Sequence, residues 1–390
     1  MQSTLRERLE QFSHLNQAVL FERLEQQVGA LSEKARLLVS VLGMICLSPY
    51  LAPHRGWRGR PCKDRQAVAA AFLAKAVLGL ETTRQLLGRL QSDAQLRCLC
   101  GWHSARQLPH EATFSRAFAE FARGELPQRL HEALIRDTQR NRLIGHIARD
   151  STPIPARERF DELPAHKPIP KRKRGRPLKT ERSLSGRRLP RQRRQTLPEM
   201  MDELPRHCSL GVKKSSSGHQ QYWRGYKLHL DVADGQIPVT CLLTAASLHD
   251  SQAAIPLATM TAQRVTSLYD VMDSAYDATD IHAHSRSLGH VPLIAPHGSV
   301  APIPNRVQAS LRRYHKRRKV PKRYDRKRLP FTPAEDQRFR VRTMVERVNA
   351  RLKDEFGGRI VRVRGAPKVF AHLMFGILAL TADQLLRLVQ

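Results

Sequence analysis

The sequence predicts an α/β domain that follows an all-α N-terminal domain, and three observations support this. Apolar residues recur at helical spacing before residue 140, short apolar runs come after it, and helical patterns alternate with those runs. Elements that alternate in this way build a mixed sheet flanked by helices. At roughly 150 residues per domain, 390 residues form two or three domains with a sizeable core.

The N-terminal domain is predicted to span residues 1–140. Apolar side chains recur every three or four residues at Leu5, Leu9, Phe12 and Leu15, which is the spacing of one helical face. Residues 67–80 are rich in Ala and Leu and contain few β-branched side chains, a composition that favours helix. The second domain is therefore predicted over residues 141–390.

The elements of the second domain follow from apolar runs and the turn residues between them. The predicted strands are 143–149, 222–232, 237–248, 267–272 and 291–294, and the predicted helices are 250–265, 279–288, 333–356 and one from Val369. Ala233-Asp234-Gly235 joins the second and third strands as a hairpin. The first strand ends on Asp150 and the fourth ends on Asp273.

The charge of the chain points to a polyanionic partner. It carries 67 Lys and Arg against 35 Asp and Glu, a formal net charge of +32, which favours DNA or RNA before an anionic membrane. Residues 171–194 hold 12 basic residues and one acid, and residues 312–328 hold 11 and one. The candidate nucleic-acid contacts in these two tracts are Lys173, Arg174, Arg176, Arg317 and Arg318.

The stretch 153–221 is predicted to be a flexible insertion, because a segment rich in Pro, Arg and Lys cannot build a core. Within it, Arg174-Gly175-Arg176-Pro177 resembles an AT-hook, whose arginines enter an A·T minor groove. The same string recurs at residues 58–61 outside a basic context. We therefore favour sequence-tolerant DNA contact by residues 171–194, with a solvated linker as the remaining alternative.

Membrane and disulfide classes are disfavoured. The N-terminal segment lacks the apolar region of a signal peptide, and the longest apolar stretch, 369–382, is too short to span a bilayer. This stretch is predicted to be a buried helix. The six cysteines are scattered without zinc-site spacing, so we expect neither a zinc site nor a disulfide framework in a reducing cytoplasm.

Three acidic residues are candidates for phosphodiester chemistry. Asp150 and Asp273 end strands, at the sheet edge where α/β proteins bind ligands, and Glu346 lies in the long helix. Phe339, Arg342 and Lys353 share its helical face by spacing. Carboxylates that converge in this way hold the two metal ions of phosphodiester cleavage. Taken singly, each Asp is better explained as a carboxylate that caps a turn, and the charged helix face is equally consistent with a solvated surface.

Several segments together resemble insertion-sequence DDE transposases. Residues 339–353 are similar to the Y-x2-R-x3-E-x6-K signature of that family, with Phe339 in place of Tyr. The other matching segments are Asp150-Ser151-Thr152, residues 225–229, residues 243–251, Asp273-Ser274-Ala275-Tyr276-Asp277 and the helical region 64–133. The matches occur in the family's order and cover most of the chain except 153–221.

The resemblance implies an RNase H-like catalytic core. In it, Asp150, Asp273 and Glu346 are the catalytic residues and hold two Mg²⁺ or Mn²⁺ ions. It further implies hydrolysis at transposon ends and attack of the freed 3′-OH on target DNA. The implied DNA-binding residues are Arg342, Lys353, Asn349 and Lys227. Phe339 lacks the hydroxyl of the usual Tyr and therefore its hydrogen bond. Residues 298–332 are short and basic, so no DNA hairpin intermediate is expected.

The implied partners are double-stranded DNA, as terminal inverted repeats and as target, and further copies of the chain in a homodimer or higher assembly. The expected location is cytoplasmic and nucleoid-associated, in a prokaryotic host. Residues 80–90 are a candidate recognition helix for the DNA ends, and a packing or dimerisation role is nearly as well supported. Two alternative functions are an inactive, domesticated DNA-binding protein and an RNase H-like nuclease without strand transfer.

Overall fold

The computed structural model describes residues 5–15, 20–51, 64–158, 187–214, 219–296 and 331–388. The part before the sheet is helical, as predicted. Its α-helices are α1 (Leu5–Leu15), α2 (Glu22–Val28), α3 (Glu33–Met44), α4 (Arg65–Val77), α5 (Thr83–Ser92), α6 (Ala94–Leu99), α7 (Glu111–Arg123) and α8 (Leu126–Gln139). Asp64 caps α4 by accepting from the amides of Gln66 and Ala67, which stabilises a helix start.

Six strands form one mixed sheet. They are β1 (Leu143–Pro155), β2 (Ser209–Lys214), β3 (Gln220–Ala233), β4 (Ile237–Ala245), β5 (Thr266–Met272) and β6 (Val291–Ile294). The strand order across the sheet is β2, β3, β1, β5 and β6. Strand β4 lies off this path and pairs with β3. β1 is antiparallel to β3 and parallel to β5, and β5 is parallel to β6. This mixed sheet, with helices against it, confirms the predicted RNase H-like fold.

The helices of this part are α9 (Arg188–Gln192), α10 (Leu197–Glu203), α11 (Ser251–Ala262), α12 (Thr279–Ser287), α13 (Pro333–Phe339), α14 (Thr343–Asp354) and α15 (Ala366–Arg387). The prediction of one helix over 333–356 is wrong, because a 3₁₀ turn at Arg340–Arg342 separates α13 from α14. This turn packs against β1 and β5, and Val341 lies against the core. Tertiary packing therefore interrupts a segment whose sequence is helical throughout.

Helix α15 joins the helical part to the sheet. It packs against α3, α4, α7 and α8 on one side and against β4 and α14 on the other. By length and composition it could cross a membrane, but 89% of its apolar window is buried inside the protein. The prediction of a buried helix is confirmed. A single hydrophobic core extends from α4 through α15 to the sheet, and the predicted domain boundary at residue 140 stays a prediction.

The predicted insertion at 153–221 is partly ordered. β1 continues to Pro155 because it stays paired with β3, so the prediction that the first strand ends on Asp150 is wrong. Residues 187–214 form α9, α10 and β2. Met200 and Leu204 are buried against the α/β core, and the Gln192 side chain donates to the carbonyl of Gln252. These contacts fix a segment whose composition alone predicts flexibility. The candidate contacts Lys173, Arg174, Arg176, Arg317 and Arg318 lie outside the described residues.

Candidate active site

Asp150 and Asp273 lie at the same level on neighbouring parallel strands. The last register pair between β1 and β5 is Arg149 with Met272, and each Asp comes one residue later. Paired residues of adjacent strands point to the same face and are separated by about 4.8 Å at the backbone. The sheet therefore brings the two predicted carboxylates together, at the end of β5 where Asp273 begins a turn by accepting from the amide of Ala275.

The two acids affect each other electrostatically. The pKa of Asp150 is raised to about 6, first by burial and also by the charge of Asp273, while a hydrogen bond from the Ser151 amide and the charge of Arg342 oppose the shift. Neither Asp150 nor Asp273 makes an ion pair with the residues that the structure describes. Two carboxylates in this relation favour a cation between them.

Tyr276 lies near the same two acids. Its hydroxyl is buried and has no hydrogen-bond partner among the described side chains and backbone. Burial raises the pKa of this hydroxyl well above its ordinary value, as do the charges of Asp250, Asp150 and Asp273. The site thus contains an unused polar atom as well as uncompensated negative charge.

Glu346 lies on α14, which packs against β1 and β3. The side chain is 50% exposed, and its Oε1 accepts from Nη2 of Arg342 at 2.7 Å. Because Arg342 also lowers the pKa of Asp150, this arginine lies between the third predicted acid and the first. Its guanidinium is further 6.0 Å from the ring of Phe339. The 3₁₀ turn therefore preserves the neighbour relations that the signature spacing predicts.

The remaining predicted contacts on α14 differ in accessibility. Lys353 is half-buried, and burial lowers its pKa, as do the nearby charges of Arg359 and Lys213. These three cations make a local positive surface beside β2. Asn349 is only 7% exposed, and its Oδ1 has no hydrogen-bond partner within the described parts of the chain. A contact between Asn349 and DNA requires movement of α14 and stays a prediction.

Lys227 forms a buried ion pair beside the site. Its Nζ donates to Oδ1 of Asp250 and to the carbonyl of Leu248, both at 2.8 Å, and its side chain is 13% exposed. Burial raises the pKa of Asp250, but the neighbouring His229 and Lys227 lower it by more. The predicted contact of Lys227 with DNA stays a prediction, since the ammonium is already bound within the protein.

Asp250 is the site residue that sequence reasoning assigned wrongly. Its position before α11 predicts a helix cap, but its carboxylate makes no cap hydrogen bond and instead binds Lys227 while facing Asp150 and Tyr276. The position of Asp277 at the start of α12 also predicts a helix cap, but Ala278 is the N-cap of α12, and Asp277 pairs with His282 at 3.2 Å. In the sequence, the adjacent polar residues His249 and Asp250 are the feature that indicates a polar cluster here.

The opposite face of the same strands contains a second acidic group. Asp231 binds the guanidinium of Arg149 through Nε at 2.7 Å and Nη2 at 2.6 Å, and accepts from Thr261 at 2.6 Å. Asp270 pairs with His290 at 3.3 Å. Asp231 and Arg149 are fully buried. Asp270 is thus part of a structural ion cluster, as its position within the strand predicts, and belongs to a different group from Asp273.

The donor chemistry of the site fits divalent metal ions. Asp150, Asp273 and Glu346 supply carboxylate oxygens, which are the ligands that Mg²⁺ and Mn²⁺ prefer. The mutual repulsion of the two Asp and the orphaned Tyr276 hydroxyl are what a cation would relieve. No group of three His, Cys, Asp or Glu is close enough to hold a metal within the described residues, and Glu346 is bound to Arg342.

Comparison with known families agrees with this geometry. The family model of the transposase DDE domain matches residues 142–382, which include all six strands and the three acids. A second model, described as a transposase domain (DUF772), matches residues 22–120 in the helical part. Curated proteins give no match to the sequence. Because the first model covers more than half of the sequence, the chain belongs to the transposase DDE domain family.

Proposed function

We propose that this protein is the DNA transposase of a prokaryotic insertion sequence, which cleaves DNA at the element's ends and joins the freed 3′-OH to target DNA. Membership of the family makes it a transposase that binds DNA, and such enzymes use divalent metal ions. The observation that supports catalysis most directly is that Asp150 and Asp273 lie side by side on the adjacent strands β1 and β5. Arg342 lies near Asp150 and binds Glu346.

Asp150, Asp273 and Glu346 would hold two Mg²⁺ or Mn²⁺ ions. Such ions activate the attacking oxygen and stabilise the leaving oxygen of a phosphodiester. Asp150 and Asp273 are positioned by the sheet, so they need no rearrangement to share a cation. With Glu346 as a metal ligand, the Arg342 guanidinium that now binds it would be available to a phosphate of the scissile strand.

The charges around α14 support DNA contact beyond the reacting phosphate. Lys353 is accompanied by Arg359 and Lys213, and adjacent cations at this spacing follow a phosphate backbone. Lys227 is half-buried and acts in this proposal by holding Asp250 in place, and Asn349 is buried on α14. A dimer or higher assembly follows from the need to hold two element ends, with the protein located in the cytoplasm at the nucleoid.

The test uses full-length protein, duplex DNA with the ends of its own element, and a target plasmid. Asp150→Asn, Asp273→Asn and Glu346→Gln are each expected to reduce cleavage by more than about 1,000-fold while DNA affinity changes less than about threefold, because only the transition state loses its charge stabilisation. Asp202→Asn, an exposed acid of α10, is the matched control and should cleave normally.

The products separate the alternatives. Cleavage followed by joining of the 3′ end to the plasmid supports the transposase. Cleavage without joining, in the presence of target DNA, would identify a nuclease of the same fold, and tight binding without cleavage in Mg²⁺ and in Mn²⁺ would identify a DNA-binding protein. Normal cleavage by the Asp273→Asn variant would show that the proposed site is wrong.

A further inference from the structure

A cavity in the helical part of the molecule lies outside the candidate active site. It has a volume of about 330 Å³ and lies between α4, α5, α7, α15 and the segment before α15. Its walls include Phe72, Lys75, Thr83, Arg84, Arg362 and His372. Pockets of this volume are at the lower end of the range that binds small molecules.

The inner wall contains a cation with no partner. Lys75 is 6% exposed, in a helix whose residues from Ala67 to Val77 are all buried, and its ammonium makes no hydrogen bond or ion pair with any residue that the structure describes. Burial lowers the pKa of Lys75 to about 8, although the charge of Glu81 opposes the shift. An unpaired ammonium in such a place is costly for the fold and attracts an anion.

The first turn of α5 forms another part of the wall. The capping box of α5 uses three amides: the Gln85 side chain accepts from Glu81 and Thr82, and the Thr82 hydroxyl accepts from the amide of Gln85. The amides of Thr83 and Arg84 have no acceptor within the helix. Helix N-termini with free amides bind phosphate, because the amides donate and the helix dipole is positive there.

The ionisable side chains of the cavity wall have a net positive charge. Glu81 pairs with Arg362 at 3.1 Å, and Glu111 pairs with Arg84 at 3.6 Å. His372 is uncharged, because burial and the nearby charge of Lys75 lower its pKa to about 3, and its Nε2 lies 3.0 Å from the carbonyl of Gly357. The two acids are thus matched by arginines at the rim, and the Lys75 charge is the excess.

We propose that this cavity binds the phosphate group of a nucleotide, between the ammonium of Lys75 and the free amides at the start of α5. The aromatic side chains of Phe72 and Phe118 give the rest of the cavity an apolar wall that suits a base or sugar. The nucleotide is either free or part of a DNA strand. The proposal does not depend on catalysis by Asp150, Asp273 and Glu346, since binding is measurable without cleavage.

The experiment measures binding to the full-length protein by calorimetry, with thymidine 5′-monophosphate and a duplex oligonucleotide as probes and thymidine as the control without phosphate. Lys75→Met is expected to weaken binding by tenfold or more, because a buried charge-assisted contact is lost. Lys368→Met removes an exposed lysine of α15 and should change the affinity less than about twofold.

Thr83→Pro tests the helix terminus separately. Proline is accepted at the first position of a helix, and the extended backbone of Thr82 (ψ 155°) suits the residue before a proline. This variant removes one amide hydrogen and should weaken binding several-fold with an unchanged circular dichroism spectrum. Weaker binding of the monophosphate by both cavity variants identifies a free nucleotide, and weaker binding of the oligonucleotide alone identifies a strand of DNA.

Two results would overturn the proposal. One is equal affinity of Lys75→Met and Lys368→Met for both probes. The other is that thymidine binds as tightly as its monophosphate and responds to Lys75→Met in the same way, which would indicate a site for the nucleoside without the phosphate. Because loss of an unpaired buried charge should not unfold α4, the melting temperature of Lys75→Met is recorded to show that the fold persists.

Discussion

The two faces of the central strands contain acidic groups that differ in their counter-charges. On the face covered by α11 and α12, Asp231 is bound by both arms of Arg149, and Asp270 is bound by His290. Asp150, within β1, and Asp273, just after β5, are without an ion pair among the described residues, and each is partly accessible. The strands are the same, so the difference comes from the neighbours.

This difference separates acids that stabilise the fold from acids that are available for chemistry. A buried acid bound bidentately to an arginine is satisfied, and further cations gain nothing there. Asp150 lies beside a second carboxylate, that of Asp273, which raises the pKa of Asp150, and such a pair of acids is destabilising until a cation arrives. Lys75 is the corresponding case for a cation, since its buried ammonium has no partner among the described residues.

The largest change in stability is expected on the face covered by α11 and α12, where the acids are paired. Asp231→Asn leaves the buried Arg149 guanidinium without its main counter-charge, and should lower the free energy of unfolding by about 3–5 kcal/mol. Chemical denaturation measures the loss. Asp202→Asn, on the surface, should stay within about 0.5 kcal/mol of the parent protein. A loss below about 1 kcal/mol for Asp231→Asn would mean that Asp270 already compensates Arg149.

A somewhat smaller effect is expected at Lys75, and it depends on pH. The pKa of Lys75 is about 8 in the folded protein, against an ordinary value of 10.5 for a solvated lysine. The unfolded chain therefore binds more protons between these values, and stability rises with pH there. At about pH 7 the charge costs about 3 kcal/mol, and at about pH 10 it costs about 1 kcal/mol.

Lys75→Met removes that pH dependence. The variant should be more stable than the parent protein near neutral pH, and the gap between the two should narrow as the pH is raised. Urea unfolding at several pH values measures the gap, and Lys368→Met is the control that should run parallel to the parent. A gap that is constant with pH would show that the pKa of Lys75 is the same in the folded protein and in the unfolded chain.

A smaller change again is expected at the acids of the candidate site. Asp273→Asn keeps an acceptor for the Ala275 amide and removes the repulsion with Asp150, so without divalent ions it should stabilise the fold by about 1 kcal/mol. Added Mg²⁺ or Mn²⁺ should raise the melting temperature of the parent protein by mass action and leave that of the variant unchanged. An equal rise in both would place the cation elsewhere.

The sequence predicts those parts of the site that local patterns determine. Asp150 and Asp273 could be found because an apolar run ends at each, and Glu346 because its spacing to Arg342 and Lys353 fits one helix. The break at residues 340–342 could not be predicted, since it arises where Val341 packs on the core. The role of Asp250 depends on Lys227, 23 residues earlier on β3, and local propensity contains no information about that pairing.

The buried lysine shows the same limit. Lys75 stands in an Ala-rich segment that predicts a helix correctly, but one lysine in such a helix is ordinarily at the surface. Its burial results from α15, which packs across α4 from the other end of the chain. Both the unpaired Lys75 and the paired Lys227 are thus consequences of long-range packing, and for each of them the structure changes the interpretation.

The smallest expected effect concerns Arg342, which lies between Asp150 and Glu346. Its ion pair with Glu346 joins residues one helical turn apart, and Glu346 is half-exposed, so Arg342→Gln should cost less than about 1 kcal/mol of stability. Because the guanidinium competes with a cation for Glu346, the variant should bind Mn²⁺ a few-fold more tightly by calorimetry while cleaving DNA more slowly. Arg340→Gln, which breaks an exposed pair with Asp336, should change neither quantity. Weaker Mn²⁺ binding by Arg342→Gln would show that Arg342 positions Glu346 for the metal and does not compete with it.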